Sequence, residues 1–168
     1  MIGSLALILV LLIIFCLIAE FVRLNLITKG VRDAVKTATT AVMTQNYDET
    51  YPCLREGYGA GYKLNEKSNE WEEKIDKGNI EEQLINLLGV KKEGDYLVKK
   101  NGSRTEYKIS NIKQEIINRD ITPKDVNKAE KFKIEVSSKL EVPIAFGFEG
   151  VKPLNVNLKV TSGYSPIF

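Results

Sequence analysis

Three hydrophobic patterns follow one another along the chain. Residues Leu5 to Ala19 read LALILVLLIIFCLIA, and with Met1 to Ser4 they make 19 residues without a charged side chain. As a helix at about 1.5 Å per residue, that run spans roughly 28 Å, close to the core of a bilayer. From Ile27 the apolar positions thin to a spacing of three and four: Ile27, Val31, Ala34, Val35, Ala38, Ala41 and Val42. That is one face of an amphipathic helix. From Phe132 the period becomes two. Phe132, Ile134, Val136, Ser138, Leu140, Val142 and Ile144 alternate with polar residues, and so do Leu154, Val156, Leu158 and Val160. Those are strands with one wet face.

No proline interrupts residues Met1 to Gln45. The apolar run therefore predicts a transmembrane helix over 1–22 that continues as an amphipathic stalk over 23–45. A cleaved secretory signal is the competing reading. No basic segment precedes the run in the residues given, and no small-x-small cleavage site follows it. A lipoprotein reading of Cys16 is weaker, because Ile13, Ile14 and Phe15 precede it. The small Ala and Val side chains of the stripe permit close packing, either on the chain's own domain or on a neighbouring subunit. Glu20 interrupts the apolar pattern at the membrane edge, where a buried carboxylate is costly. It can snorkel, pair with Arg23 three residues on, or bridge to another subunit.

Residues 46–64 read as a turn-rich connector with Tyr51, Tyr58 and Tyr62. The GYGAGY stretch lacks the spacing and the downstream Lys-Ser/Thr of a phosphate-binding loop. Residues 65–168 predict an α+β domain. A short helix is expected over Glu66–Lys77 with Trp71 and Ile75 buried. A second starts at Asn79, with Glu82 completing a capping box, Ile80, Leu84, Leu87 and Leu88 as its apolar face, and Gly89 ending it. Asn101-Gly102 marks a two-residue hairpin turn that would pair Tyr96 with Tyr107 and Val98 with Thr105. Asn101-Gly102-Ser103 also fits a glycosylation sequon, which the turn explains. Residues Ile109 to Ile121 fit strand and helix equally. The two late strands, joined by the loop Ala145 to Pro153, predict an antiparallel hairpin.

Composition removes several classes of function. The 168 residues contain no histidine, which takes away the commonest metal ligand and the usual general base. Cys16 and Cys53 fall in different media if the run spans lipid, so no disulfide framework or four-cysteine zinc site is available. Four of the 24 basic and two of the 22 acidic residues lie in the first 45, leaving twenty of each for the rest. A neutral domain offers no basic footprint for nucleic acid. No cofactor site, metal site or catalytic constellation can be drawn, so the chain reads as a non-enzyme. The positive charge nearest the span, from Arg23 onward, lies on its C-terminal side. The positive-inside rule would then put the domain in the cytoplasm. A basic leader ahead of these residues would reverse that.

The segment IAEFVRLNLITKGVRDAVKTATTAV resembles the N-terminal helix of TadE-like proteins, the minor pilins of tight-adherence pili, with Glu20, Phe21 and Arg23 on the Glu-Phe-x-Arg motif. The terminal KIEVSSKLEVPIAFGFEGVKPLNVNLKVTSGYSP is similar to the closing hairpin of that family. Leu5 stands where the family has an early glutamate. The resemblance implies a single-pass protein with an extracellular domain that acts as a structural subunit of a pilus-like filament. Its partners would be copies of itself or other pilin-like subunits, the storing membrane and an envelope assembly machine. Assembly would run through Glu20, Phe21, Arg23 and the stripe from Ile27 to Val42. The other reading is a non-polymerising anchored accessory protein of a secretion, conjugation or pilus-assembly machine.

Overall fold

The computed structural model describes residues 2–46, 62–73, 75–76, 78–117, 132–145 and 151–163. Helix α1 runs without a break over Ile2–Gln45. Its β-branched and polar residues are reconciled with the helix by local bonds. Thr28, Thr39, Thr40 and Thr44 each donate their hydroxyl to the carbonyl four residues earlier. Asn46 closes the helix. Its side-chain amide donates to Val42 O at 2.9 Å and to Asp76 O at 2.8 Å, while its Oδ1 accepts from Asp76 N at 2.8 Å. A buried amide with this much of its capacity used is a strong weld, and it fixes Asp76 against the end of α1.

The remainder is α+β, as the periodicity predicts. Five antiparallel strands form a meander in chain order. They are β3 (Lys91–Glu93), β4 (Tyr96–Asn101), β5 (Arg104–Ile117), β6 (Lys133–Val142) and β7 (Leu154–Gly163). The C-terminal half of α1 packs on β6 and β7, and helix α2 (Ile80–Leu88) packs beside it on α1. Ile134, Val136, Leu140 and Val142 of β6 and Leu158 and Val160 of β7 enter the core with Val31, Val35 and Ala38. The hairpin of β6 and β7 has the expected alternation, with Val136 opposite Val160 and Leu140 opposite Val156. Residues 109–117, ambiguous in the sequence, are strand. Asn111 there takes φ +52° where the register slips between Ser110 and Lys113. Asn tolerates that conformation better than most residues, so the bulge carries little strain.

Helix α2 begins at Asn79 and ends at Gly89 as expected, although Glu82 accepts from the Asn79 side-chain amide at 3.4 Å where a capping box would use the backbone N–H. Asn79 Oδ1 accepts from Glu82 N at 3.0 Å, and Gly89 takes φ +58°. Leu87, expected on its apolar face, is exposed instead; Ile80 and Leu84 carry the burial.

Two further expectations, of one element and of one strand register, fail. The segment expected to be a helix over Glu66–Lys77 is a hairpin of β1 (Tyr62–Asn65) and β2 (Glu70–Glu73), with Leu64 opposite Trp71. Asn65 is the reason. Its Oδ1 accepts from Lys67 N at 2.9 Å, an Asx turn that competes with helix, and Asn69 closes the turn at φ +54°. Trp71 is 46% exposed, so only Ile75 of the expected buried pair meets the core. The connector expected over 46–64 is cut at both ends, since Asn46 belongs to the helix end and Tyr62 opens β1. Residues 47–61, with Tyr51, Cys53, Tyr58 and most of the glycine-rich stretch, lie outside the described residues. The second failure is register. The tight turn is Gly102-Ser103, with Asn101 opposite Arg104. Gly102, at φ +62°, takes the first central position, where a type II′ turn needs glycine. A further slip at Lys99/Lys100 then puts Tyr107 opposite Lys99 and Thr105 opposite Lys100, not opposite Tyr96 and Val98. The slips set buried Leu97 against buried Ile109.

Candidate functional site on the long helix

The stripe on α1 is occupied by the chain's own domain. Val31, Val35, Ala38 and Val42 are buried in the core, and Ile27 and Ala34 pack against it. Ala41 lies at the margin, in a shallow groove with Asp33, Lys36, Thr37, Thr40 and Thr44. Of the two partners open to the stripe, the sheet is the one the structure brings to it. Residues 23–45 are therefore no free stalk but the central helix of the domain.

Glu20 belongs to the same face. Positions 20, 24, 27, 31, 35, 38 and 42 keep one spacing of three and four, so the carboxylate points toward the domain and not around the helix to open surroundings. Arg23 donates to it twice, Nε to Oε2 at 3.0 Å and Nη2 to Oε1 at 2.7 Å. The same Nη2 donates to Pro143 O at 2.6 Å, and Ala145 N donates to Glu20 Oε1 at 2.8 Å. The Glu20 side chain is left 11% exposed. Helix and domain are thus clasped at the point where the uncharged run ends, by an ion pair whose outer bonds go to the backbone just after β6. The i,i+3 pair is present within one chain, and the carboxylate already accepts three hydrogen bonds without a neighbour. Phe21, inside the motif, lies on the flank of the helix beside the buried stripe and is 67% exposed. Beside the clasp is a cleft of about 210 Å³ lined by Arg23, Asn101, Arg104, Thr105, Glu106 and Ile144. Pro143 as a partner of Arg23 and Ala145 as a partner of Glu20 are invisible in the sequence; only the continued spacing from Glu20 to Val42 points that way.

Upstream of Glu20, the described residues of the domain leave the large apolar side chains of α1 uncovered. Twelve large apolar side chains between Leu5 and Ile18 are exposed, Phe15 by 72%. Leaving each in water instead of an apolar medium costs about 1.5–3 kcal/mol. The total is on the order of 20–30 kcal/mol, more than the stability of an ordinary domain. The helix is long and apolar enough to cross a membrane. Cys16 in this run is a free thiol.

Elsewhere the described surface is mostly polar, with Leu64, Trp71, Leu87 and Val151 as exposed apolar residues. A wide cleft of about 670 Å³ between α2 and the sheet is lined by Asn79, Glu81, Lys92, Asp95, Tyr96 and Asn111, among others. Lys92 and Glu81 pair across it at 2.8 Å. Among the described residues no three His, Cys, Asp or Glu side chains come together as a metal site. No protein-family model, curated protein or solved structure matches the chain.

Proposed function

We propose that the chain is a structural subunit of a pilus-like extracellular filament, held in the membrane by the N-terminal half of α1 until assembly. One observation carries this reading. An apolar helical handle projects bare from a domain whose own core is already complete. Such a handle has two stable surroundings, lipid or a bundle of like handles, and passage between them exchanges one apolar contact for another. The domain lies outside the cytoplasm in this reading, and the TadE-like motif at Glu20, Phe21 and Arg23 agrees with it. Because the stripe from Ile27 to Val42 is spent on the sheet, subunits would meet through residues 3–19 and the outer face of α1. Among the described residues no metal-binding cluster competes with a structural role, and copies of the chain or related subunits are the natural partners.

The test is electron microscopy of filaments sheared from cells that express the chain with its neighbouring genes, labelled by antibody to the domain. Label along the filaments is the expected result. Filaments that never carry it, or a chain that stays wholly in the membrane fraction while filaments form, would leave the non-polymerising accessory protein as the better reading.

A further inference from the structure

The two sides of α1 leave the apolar run at different heights. On the domain side the run ends at Glu20 and Arg23. On the outer side apolar residues continue beyond it at Phe21, Val22 and Leu26, broken by one polar residue, Asn25, whose side-chain amide donates to Phe21 O at 3.2 Å; Leu26 is 65% exposed. Only then come the exposed cations Lys29 and Arg32. Apolar side chains followed at once by cations mark a membrane boundary, because long basic side chains sit among lipid phosphates. The outer stripe from Gly3 to Leu26 is 24 residues, roughly 36 Å of helix against a hydrocarbon core of about 30 Å. The surplus places Leu26 and the cations after it among the headgroups, and Glu20, about 9 Å lower along the axis, at the edge of the hydrocarbon.

We propose that the end of the domain nearest Glu20 rests in the headgroup layer of the membrane that α1 enters. That end is built from the Gly102-Ser103 turn, the 143–145 segment and Val151-Lys152 before β7. The clasp fixes its height, since Pro143 O and Ala145 N are bonded to Arg23 and Glu20. The bonding itself fits the location. Irregular backbone near lipid must have its polar groups satisfied by protein, and here the ion pair does so. The exposed side chains at this end suit an interfacial layer. Val151 is apolar, Ser103 is small and polar, and Arg104 and Lys152 are cations. The far end of the sheet, with the β3–β4 turn at Asp95, shares a cleft with Gly78, Asn79 and Glu81 at the other end of the domain and stands clear. The partner is thus the phospholipid surface, and the proposal needs only the membrane-anchor part of the reading above, not the filament.

The experiment uses the full chain with Cys16→Ser and Cys53→Ser, carrying one cysteine labelled with an environment-sensitive dye. It is reconstituted at low density in vesicles of phosphatidylcholine and phosphatidylglycerol with a nitroxide on some headgroups. Ser103→Cys, Val151→Cys and Leu26→Cys should each show blue-shifted emission and lose most of it to the nitroxide. Asp95→Cys should keep nearly all of its emission. Protease resistance of the domain confirms that each variant is folded, and Val151 and Ser103 report on the same end independently. If the Ser103 and Val151 labels behave like the Asp95 label while Leu26 is quenched, the domain stands off the bilayer and the proposal is overturned. A chain that does not float with the vesicles overturns it together with the anchor. Normal quenching in a chain that never enters filaments leaves this proposal standing and removes only the filament.

Discussion

Residues 3–19 and 27–42 belong to one unbroken helix, draw on the same aliphatic side chains, and end in opposite surroundings. In the first stretch the apolar residues occupy every side of the helix, and all the large ones are exposed. In the second they occupy one stripe, and Val31, Val35, Ala38 and Val42 disappear into the core. Arrangement, not composition, separates a handle from a core element. A helix apolar all round cannot be covered by one sheet, which touches about a third of its circumference. A helix with one stripe needs no more than that. Glu20 and Arg23 lie at the junction, where the chain changes from one arrangement to the other.

The largest effect comes from placing the same charge in each half. Val35→Asp puts a lone carboxylate in a packed core at several kcal/mol, which should unfold the domain. Leu9→Asp puts it in the bare half, where the cost is about 2.5–3.5 kcal/mol of membrane insertion. The domain of Leu9→Asp should melt normally while its membrane-bound fraction falls. Flotation and thermal unfolding of both variants check this. Equal loss of domain stability in the two would erase the distinction between the halves.

A smaller effect is expected at Gly78, where the chain passes over the covered half. Its φ is +58°, and a Cβ there would meet both Val42 methyls at 2.8 Å. Left-handed strain and overpacking together predict a loss of about 2–4 kcal/mol for Gly78→Ala. Denaturant titration of the solubilised chain measures it.

Tyr107 tests how dry the sheet side of the helix is. Burial, helped by the Glu106 carboxylate, raises its phenol from the usual 10.0 to about 12. The neutral form is the one the fold favours. This contribution is therefore complete below pH 10 and is lost as pH rises from 10 toward 12, when the unfolded chain releases its proton first. Tyr107→Phe should lose less stability over that window than the wild type. Parallel pH dependence of unfolding in the two proteins would mean that the ring is wet.

The smallest effect is at Ser138, on the core face of β6. Its hydroxyl is buried, with no hydrogen-bond partner among the described residues. Ser138→Ala removes an unsatisfied group, so the domain should gain up to about 1 kcal/mol. A clear loss in the melting temperature would show that the hydroxyl has a partner, such as a bound water.

Much of this was legible in the residues. The continuous run, the stripe and the period-two strands are local signals, because each depends only on which side chains sit on one face of one element. The same holds for the caps of α2, where Asn79 and Gly89 act within a few residues of themselves. The failures are of two kinds. At Glu66–Lys77 a local competitor, the Asn65 turn, outweighed a weak helical pattern with little apolar face to bury. At Asn101-Gly102 two turns were open to the same residues, and pairing chose between them. The glycine moved one place so that Leu97 and Ile109 could meet in the core.

What the sequence alone determined is the presence of a handle, a striped helix and an alternating sheet, since periodicity dictates which side of each element avoids water. Only the tertiary structure decided what covers the stripe and what Glu20 holds. Pro143 and Ala145 lie 120 and 125 residues beyond Arg23 and Glu20. They offer backbone atoms, which every residue has, so no side-chain identity could announce the contact. It exists because β6 runs back along α1 and ends at the height where the first charge appears.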